Sequence, residues 1–245
     1  MLKGKTALIT GSNRGIGKAI VTKFLENGAN VICCVRKTNE EFLNYVNFQN
    51  KKNHKIIKVL EFDLENEKQM VEAIKSLHED KINVDILINN AGIAQGSILE
   101  MTSLNNLKRV FEVNYFSQIR LIQLLLRQMK KLKNGIIINV GSVSGIKAER
   151  GNLSYGSSKA ALMFATQVLA KELKNYNIRV NSIAPTVTET DMLKQMDEKA
   201  KSNLMNERNL KQPYSADAVA ERVLILASDK SKNLNGKIVT MEEKV

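Results

Sequence analysis

Short apolar runs separated by amphipathic segments recur along the whole chain, and this alternation most restricts what it can fold into. Thr6–Thr10, Val31–Val35, Ile56–Phe62, Asp85–Asn89, Ile136–Val140 and Ile178–Ile183 read as strands, with Lys237–Met241 as a last edge strand. Between them, Ile16–Asn27, Glu40–Gln49, Glu67–Glu79, Leu104–Leu132, Tyr155–Lys174 and Val219–Ser228 carry helical spacing. A strand followed by a helical crossover returns parallel to its predecessor, and a parallel sheet needs cover on both faces. The pattern therefore predicts an α/β protein: a Rossmann-like, doubly wound parallel sheet flanked by helices in three layers.

With 245 residues, 43% of them hydrophobic, the chain can bury one substantial core. No repeat, low-complexity tract or interdomain linker is visible, so a single domain over 1–245 is expected. Pro185 and Pro213 are the only prolines. They bracket a Met- and Lys-rich stretch, Thr186–Gln212, that breaks the alternation and suits a substrate lid at about 186–212. There Met192, Met196 and Met205 could line an adaptable pocket or make ordinary core contacts. Met1–Lys5 leads straight into the first strand, so no leader is expected, and no apolar stretch is long enough to span a bilayer. Cys33 and Cys34 are adjacent on a strand and point to opposite faces, which disfavours a disulfide and suits a reducing, cytoplasmic setting. His54 and His78 are isolated and read as surface residues, with no metal cluster. The net charge of +12 is spread along the chain without a nucleic-acid-binding signature. It favours solvated lysine-rich faces, with no nucleic-acid or membrane partner.

After the first strand comes Thr10-Gly11-Ser12-Asn13-Arg14-Gly15-Ile16-Gly17, opening into a helix. Glycines permit a tight turn and close ligand approach, and a helix N-terminus attracts a pyrophosphate. The spacing, G-x-x-x-G-x-G, is wider at its start than the common dinucleotide fingerprint. The second strand ends at Arg36, where a carboxylate would read a bare ribose and repel a 2′-phosphate. Arg14 and Arg36 together make a 2′-phosphate clamp, favouring NADPH over NADH, unless either is simply solvated.

Further along, Tyr155 and Lys159 are spaced to share one helix face. An ammonium near a phenol favours the phenolate, so a lowered tyrosine pKa is expected. Ser142 follows the apolar run Ile136–Val140.

Thr10–Gly17, Asn89-Asn90-Ala91-Gly92, Ser142 and Tyr155-x-x-x-Lys159 together resemble the classical short-chain dehydrogenases/reductases, from about Lys3 to Lys237. The resemblance implies NADP as cofactor and a catalytic set of Asn114, Ser142, Tyr155 and Lys159. It implies cofactor contacts from Gly11, Ser12, Asn13, Arg14, Gly15, Ile16, Gly17, Arg36, Asp63, Leu64, Asn90, Ala91, Gly92, Tyr155, Lys159, Pro185, Thr188 and Thr190. Asp63 also suits a loop or cap residue, and Asn114 a helix asparagine bonded only to backbone. Within the family the chain is most similar to bacterial 3-oxoacyl-[acyl-carrier-protein] reductases, which implies a ketone substrate, small or carrier-bound, in fatty acid biosynthesis. A reductase of a polar ketone such as a sugar or surface-glycan precursor is the alternative, and a non-catalytic cofactor-binding protein a third. The resemblance also implies a homo-oligomer, dimer or tetramer. Two departures stand out: Pro185-Thr186 where Pro-Gly is usual, and a C-terminus from Ile238 to Val245 unlike the usual Val-Asp-Gly-Gly. Lys130, Lys131 and Lys133 could dock an acidic carrier or merely cap their helix electrostatically.

Overall fold

The chain's most completely apolar segments line up side by side as the middle of one parallel sheet. The computed structural model describes residues 1–53, 56–189, 193, 198–208 and 210–243. In chain order the strands are β1 (Thr6–Thr10), β2 (Asn30–Val35), β3 (Ile56–Glu61), β4 (Ile86–Asn89), β5 (Gly135–Val140), β6 (Ile178–Ala184) and β7 (Ile238–Thr240). Among the described residues they form a seven-stranded sheet in the order β3-β2-β1-β4-β5-β6-β7, with every pairing parallel. The chain builds outward from β1 to β3, then crosses back to lay β4 on the other side of β1. That reversal leaves a crevice beyond the carboxyl ends of β1 and β4.

The helices are α1 (Gly15–Glu26), α2 (Glu40–Asn53), α3 (Glu67–Glu79), α4 (Leu104–Phe111), α5 (Ser117–Leu132), α6 (Leu153–Leu173), α7 (Glu198–Glu207) and α8 (Ala216–Ala227). Successive strand residues feed opposite faces, as the pleat requires. Ile9 and Cys33 join Ile20, Phe24, Val223 and Leu224 on the side of α1 and α8. Leu8, Ile32 and Cys34 join Met70, Ile74, Leu121 and Leu125 on the side of α3 and α5. The two cysteines are thus free, buried and on opposite faces. Burial pushes the Cys33 thiol up to about 12.

Three local features depart from the sequence pattern. The predicted helix over 104–132 is interrupted by a π turn at Glu112–Phe116, because the Asn114 side chain is drawn out of the helix to the loop after β4. The last helix starts earlier than Val219, since the Ser215 side chain accepts the Ala218 N–H and caps it there. A helix, α7, lies within 186–212, where the alternation gave no sign of one. His78 is exposed, while His54, Met192 and Met196 lie outside the described residues. Lys133 ends α5 in the left-handed region, and the Lys130 ammonium sits 4.4 Å from the Tyr176 ring centroid. The unusual C-terminus is pinned to α8 by Arg222, which donates to the Met241 carbonyl at 3.2 Å and the Glu243 carbonyl at 2.6 Å.

Candidate active site

The crevice is built first by backbone packing. β1 ends at Thr10 and α1 begins at Gly15, so the intervening chain must turn sharply. A Cβ on Gly17 would lie 2.0 Å from the Gly11 carbonyl oxygen and 2.7 Å from Asn90 Nδ2, a collision only glycine avoids. Thr10 Oγ1 accepts the N–H groups of Asn90 and Ala91, each at 2.9 Å, and Asn90 Nδ2 donates to the Thr10 carbonyl at 2.8 Å. Ser12 is tied to the neighbouring strand: its N–H and hydroxyl both donate to the Cys34 carbonyl, at 3.3 and 3.1 Å. The turn is therefore fixed to β2 and β4 and opens directly onto the N-terminus of α1, whose first turn holds no acidic side chain. Such a cradle, with room made by glycine and a helix dipole behind it, fits a diphosphate.

Arg14 and Arg36 are both exposed, at the carboxyl ends of the adjacent strands β1 and β2. Asp63 follows β3 and organises its own turn, its Oδ1 accepting the Glu65 N–H at 3.0 Å and its N–H donating to Gln69 at 2.9 Å. Leu64 is buried and its carbonyl accepts the Ser117 hydroxyl. Asn13, Gly15, Ile16, Ala91 and Gly92 line the same end of the sheet through the turn and the loop after β4.

Asn114, Ser142, Tyr155 and Lys159 come together from three segments. Asn114 is fully buried, and its amide clamps the loop after β4. Its Oδ1 accepts the Ile93 N–H and its Nδ2 donates to the Ile93 carbonyl, both at 2.9 Å. Nδ2 also donates to Ser158 Oγ at 3.0 Å, so the side chain reaches beyond backbone to α6. The π turn that frees this side chain is the kind of distortion often found at functional sites. Ser142 caps the short 3₁₀ turn Val143–Gly145, its Oγ accepting the Ser144 N–H at 3.1 Å. That turn lies hard against α6: a Cβ on Gly156 would meet the Ser144 carbonyl at 2.6 Å, and one on Gly145 would meet the Ala160 nitrogen at 2.6 Å. Close approach at these two positions brings Ser142 to Tyr155.

Lys159 is buried and donates to the Val140 carbonyl at 2.7 Å. A Cβ on Gly92 would sit 3.3 Å from Lys159 Nζ and 3.1 Å from Asn114 Oδ1, which places both side chains beside the loop after β4. Burial lowers the lysine to about 8. Tyr155 behaves differently from the sequence expectation. Its pKa is raised, because burial outweighs the hydrogen bonding from Ser142 and the positive charge of Arg208. Lys159 Nζ lies 5.9 Å from the Tyr155 ring centroid and donates to the Val140 carbonyl.

Pro185 and Thr188 flank the crevice on the β6 side. The Pro185 carbonyl accepts the Val143 N–H at 3.0 Å, and Thr188 Oγ1 donates to the Thr186 carbonyl at 2.9 Å. The chain here also pairs with Tyr214, which donates its N–H to Val187 at 2.9 Å and accepts from Glu189 at 2.8 Å. Thr190 lies outside the described residues.

Sequence reasoning missed one pair. Arg208, just past α7, places Nη2 2.7 Å from Glu149 Oε1, with the two side chains only 5% and 13% exposed. Nothing in the local sequence of either residue marks it; only the fold brings them together beside Ser144.

Residues 5–201 match the short chain dehydrogenase family. The 3-oxoacyl-[acyl-carrier-protein] reductase of Thermotoga maritima is 33% identical over 98% of this chain and 97% of its own length. A 3alpha-hydroxysteroid dehydrogenase of Mediterraneibacter gnavus is 32% identical over 99% and 97%. Among solved structures, a short chain dehydrogenase from Burkholderia cenocepacia in complex with NADP superposes with a TM-score of 0.88, at 30% identity over 98% and 96% of the two chains.

Proposed function

Given that the chain belongs to the short-chain dehydrogenase family and is an oxidoreductase, we propose that it reduces a ketone to a secondary alcohol with NADPH. The observation that carries this reading is the convergence of Tyr155, Lys159, Ser142 and Asn114 beside the Gly11–Gly17 cradle.

NADPH, when bound, supplies the hydride. The chain's residues do the rest. Gly11–Gly17 and the α1 N-terminus would hold the diphosphate, with Asn90-Ala91-Gly92, Pro185, Thr188 and Thr190 along the nicotinamide end and Asp63 and Leu64 at the adenine. Arg14 and Arg36 would hold the 2′-phosphate; their position past β1 and β2, with no carboxylate closing β2, supports NADPH over NADH. Ser142 orients the substrate carbonyl by hydrogen bonding. Tyr155 donates the proton to the oxygen that becomes the alcohol. Burial raises its pKa, which makes the phenol a weaker acid at neutral pH, and the positive charge of Lys159 would offset that as the proton leaves. Lys159 holds the ribose and, while charged, stabilises negative charge developing on Tyr155. Asn114 holds the loop beside Lys159 and completes the route by which the proton is replaced.

The similarity to 3-oxoacyl-[acyl-carrier-protein] reductases favours a 3-oxoacyl thioester, small or carrier-bound, as substrate. A polar ketone is the second reading. It draws support from the buried Glu149–Arg208 pair beside the reaction site. Residues 1–245 act as one catalytic domain, with 186–212 as lid. Phe116 and Phe164, 53% and 68% exposed on the π turn and α6, support burial in a homo-oligomer. Free buried thiols support a cytoplasmic setting.

The test is NADPH oxidation against acyl thioesters, sugar ketones and simple diketones. Turnover of thioesters well above that of sugar ketones is expected; turnover on sugar ketones alone would replace the first substrate reading by the second.

A further inference from the structure

The reaction just described leaves the donors of Arg208 unused. Its Nη2 contacts Glu149 Oε1 at 2.7 Å and donates to Ser144 Oγ at 3.2 Å, whereas Nε and Nη1 are buried without a hydrogen-bond partner. Leaving guanidinium N–H groups dry and unmade is costly, and such groups are retained where a ligand completes them. The pair is not a stray surface contact. Glu149 Oε2 also accepts from Asn152 Nδ2 at 3.1 Å and from Ser144 Oγ at 3.4 Å. Two residues beyond Glu149, the Gly151 carbonyl accepts the Ser97 N–H at 2.8 Å.

Ser144 is two residues beyond Ser142, so the guanidinium stands beside the group that orients the carbonyl. Its charge reaches the Tyr155 hydroxyl and works against the upward pull of burial there. Arg208 also follows directly on α7, so it arrives in the crevice from the lid.

We propose that Nε and Nη1 of Arg208 bind an uncharged oxygen of the substrate, a hydroxyl or ester-type carbonyl close to the ketone being reduced. The inference rests on the reductase reading above and names what that site selects. Charge balance decides against an anion. Glu149 already neutralises Arg208, so a substrate carboxylate would bring a second negative charge next to the first in a dry site. A neutral oxygen supplies the missing lone pairs without that penalty. The site is thus selective for oxygenated ketones over plain alkyl ketones, because the latter leave the arginine donors unpaired.

Four probes separate these cases: butanone, hydroxybutanone, the N-acetylcysteamine thioester of acetoacetate, and acetoacetate itself. In the wild-type enzyme, kcat/KM for hydroxybutanone or the thioester is expected to exceed that for butanone by about 10- to 100-fold, the worth of a hydrogen bond to a charged donor. Acetoacetate should gain nothing over butanone. Arg208→Gln should cut the preference for the oxygenated ketones by about tenfold or more, beyond any loss shared by every substrate. Glu149→Gln keeps the arginine but frees its charge, and should shift relative preference toward acetoacetate. NADPH binding and near-UV circular dichroism report whether each variant is folded. Equal wild-type use of butanone and its oxygenated partners overturns the inference, as does an unchanged preference in Arg208→Gln or a wild-type preference for acetoacetate. Each of those results leaves the reductase reading standing. Absence of ketone-dependent NADPH oxidation with these probes and with the wider panel removes both.

Discussion

The two walls of the crevice are built by different physics. On the β1–β4 side, the Gly11–Gly17 turn is set by close backbone packing: a Cβ at Gly17 would meet a carbonyl at 2.0 Å, and the Thr10 and Asn90 side chains lock the loop by bonding to main-chain groups. On the side of Ser144 and α7, Glu149 and Arg208 meet through side chains alone, across separate segments of chain. The first wall can accept little change, as suits the cofactor proposed for it. The second can vary without disturbing the sheet, and so is where the proposed substrate selection would act. Between them stand Ser142, Tyr155 and Lys159, held by a turn packed at Gly145 and Gly156.

The sharpest way to separate chemistry from both walls is Tyr155→Phe. Removing the proton donor should lower kcat by about 10²- to 10⁴-fold, while NADPH still binds as judged by fluorescence titration. Turnover near the wild-type rate would remove Tyr155 from the reaction. A smaller effect, confined to the cofactor wall, is expected from Arg36→Asp. The KM for NADPH should rise about 10- to 100-fold from loss of a charge-assisted contact and added repulsion. The KM for NADH should move far less. An equal change for both cofactors would mean that Arg36 does not read the 2′-phosphate.

The smallest effect is in pH. Lys159 titrates near 8 in the folded protein against an ordinary value of 10.5. Between those values the unfolded chain binds the extra proton, so stability contributed at this site rises with pH across that window. Activity should run the other way: reduction weakens as pH climbs through about 8, because Lys159 loses the charge that helps Tyr155 release its proton. A kcat/KM profile flat from pH 7 to 10 would exclude that role for the lysine.

Much of the fold was legible because its signals are local. Alternating apolar runs gave the strands, and Glu67–Glu79 matches the observed helix end for end. The glycine turn, Ser142 and the Tyr155–Lys159 pair were readable for the same reason: each is a short motif next to the element it terminates. What escaped depended on distant partners. The π turn at Glu112–Phe116 exists because Asn114 reaches the loop after β4 and Ser158, contacts no helical pattern encodes. The tyrosine's upward shift was missed because helical spacing does not show how deeply the phenol is buried. Arg208 could not be singled out from the other charged residues of a basic chain until Glu149 and Ser144 were seen beside it.

The most direct measurement is the stoichiometry of the wild-type reaction: NADPH consumed by absorbance against secondary alcohol formed, with a 3-oxoacyl thioester and a polar ketone supplied in turn. One alcohol formed per NADPH oxidised, with at least one of these substrates, is the expected result. NADPH that remains unoxidised in the presence of every ketone offered, although bound by the protein, would contradict a ketone reductase at this site.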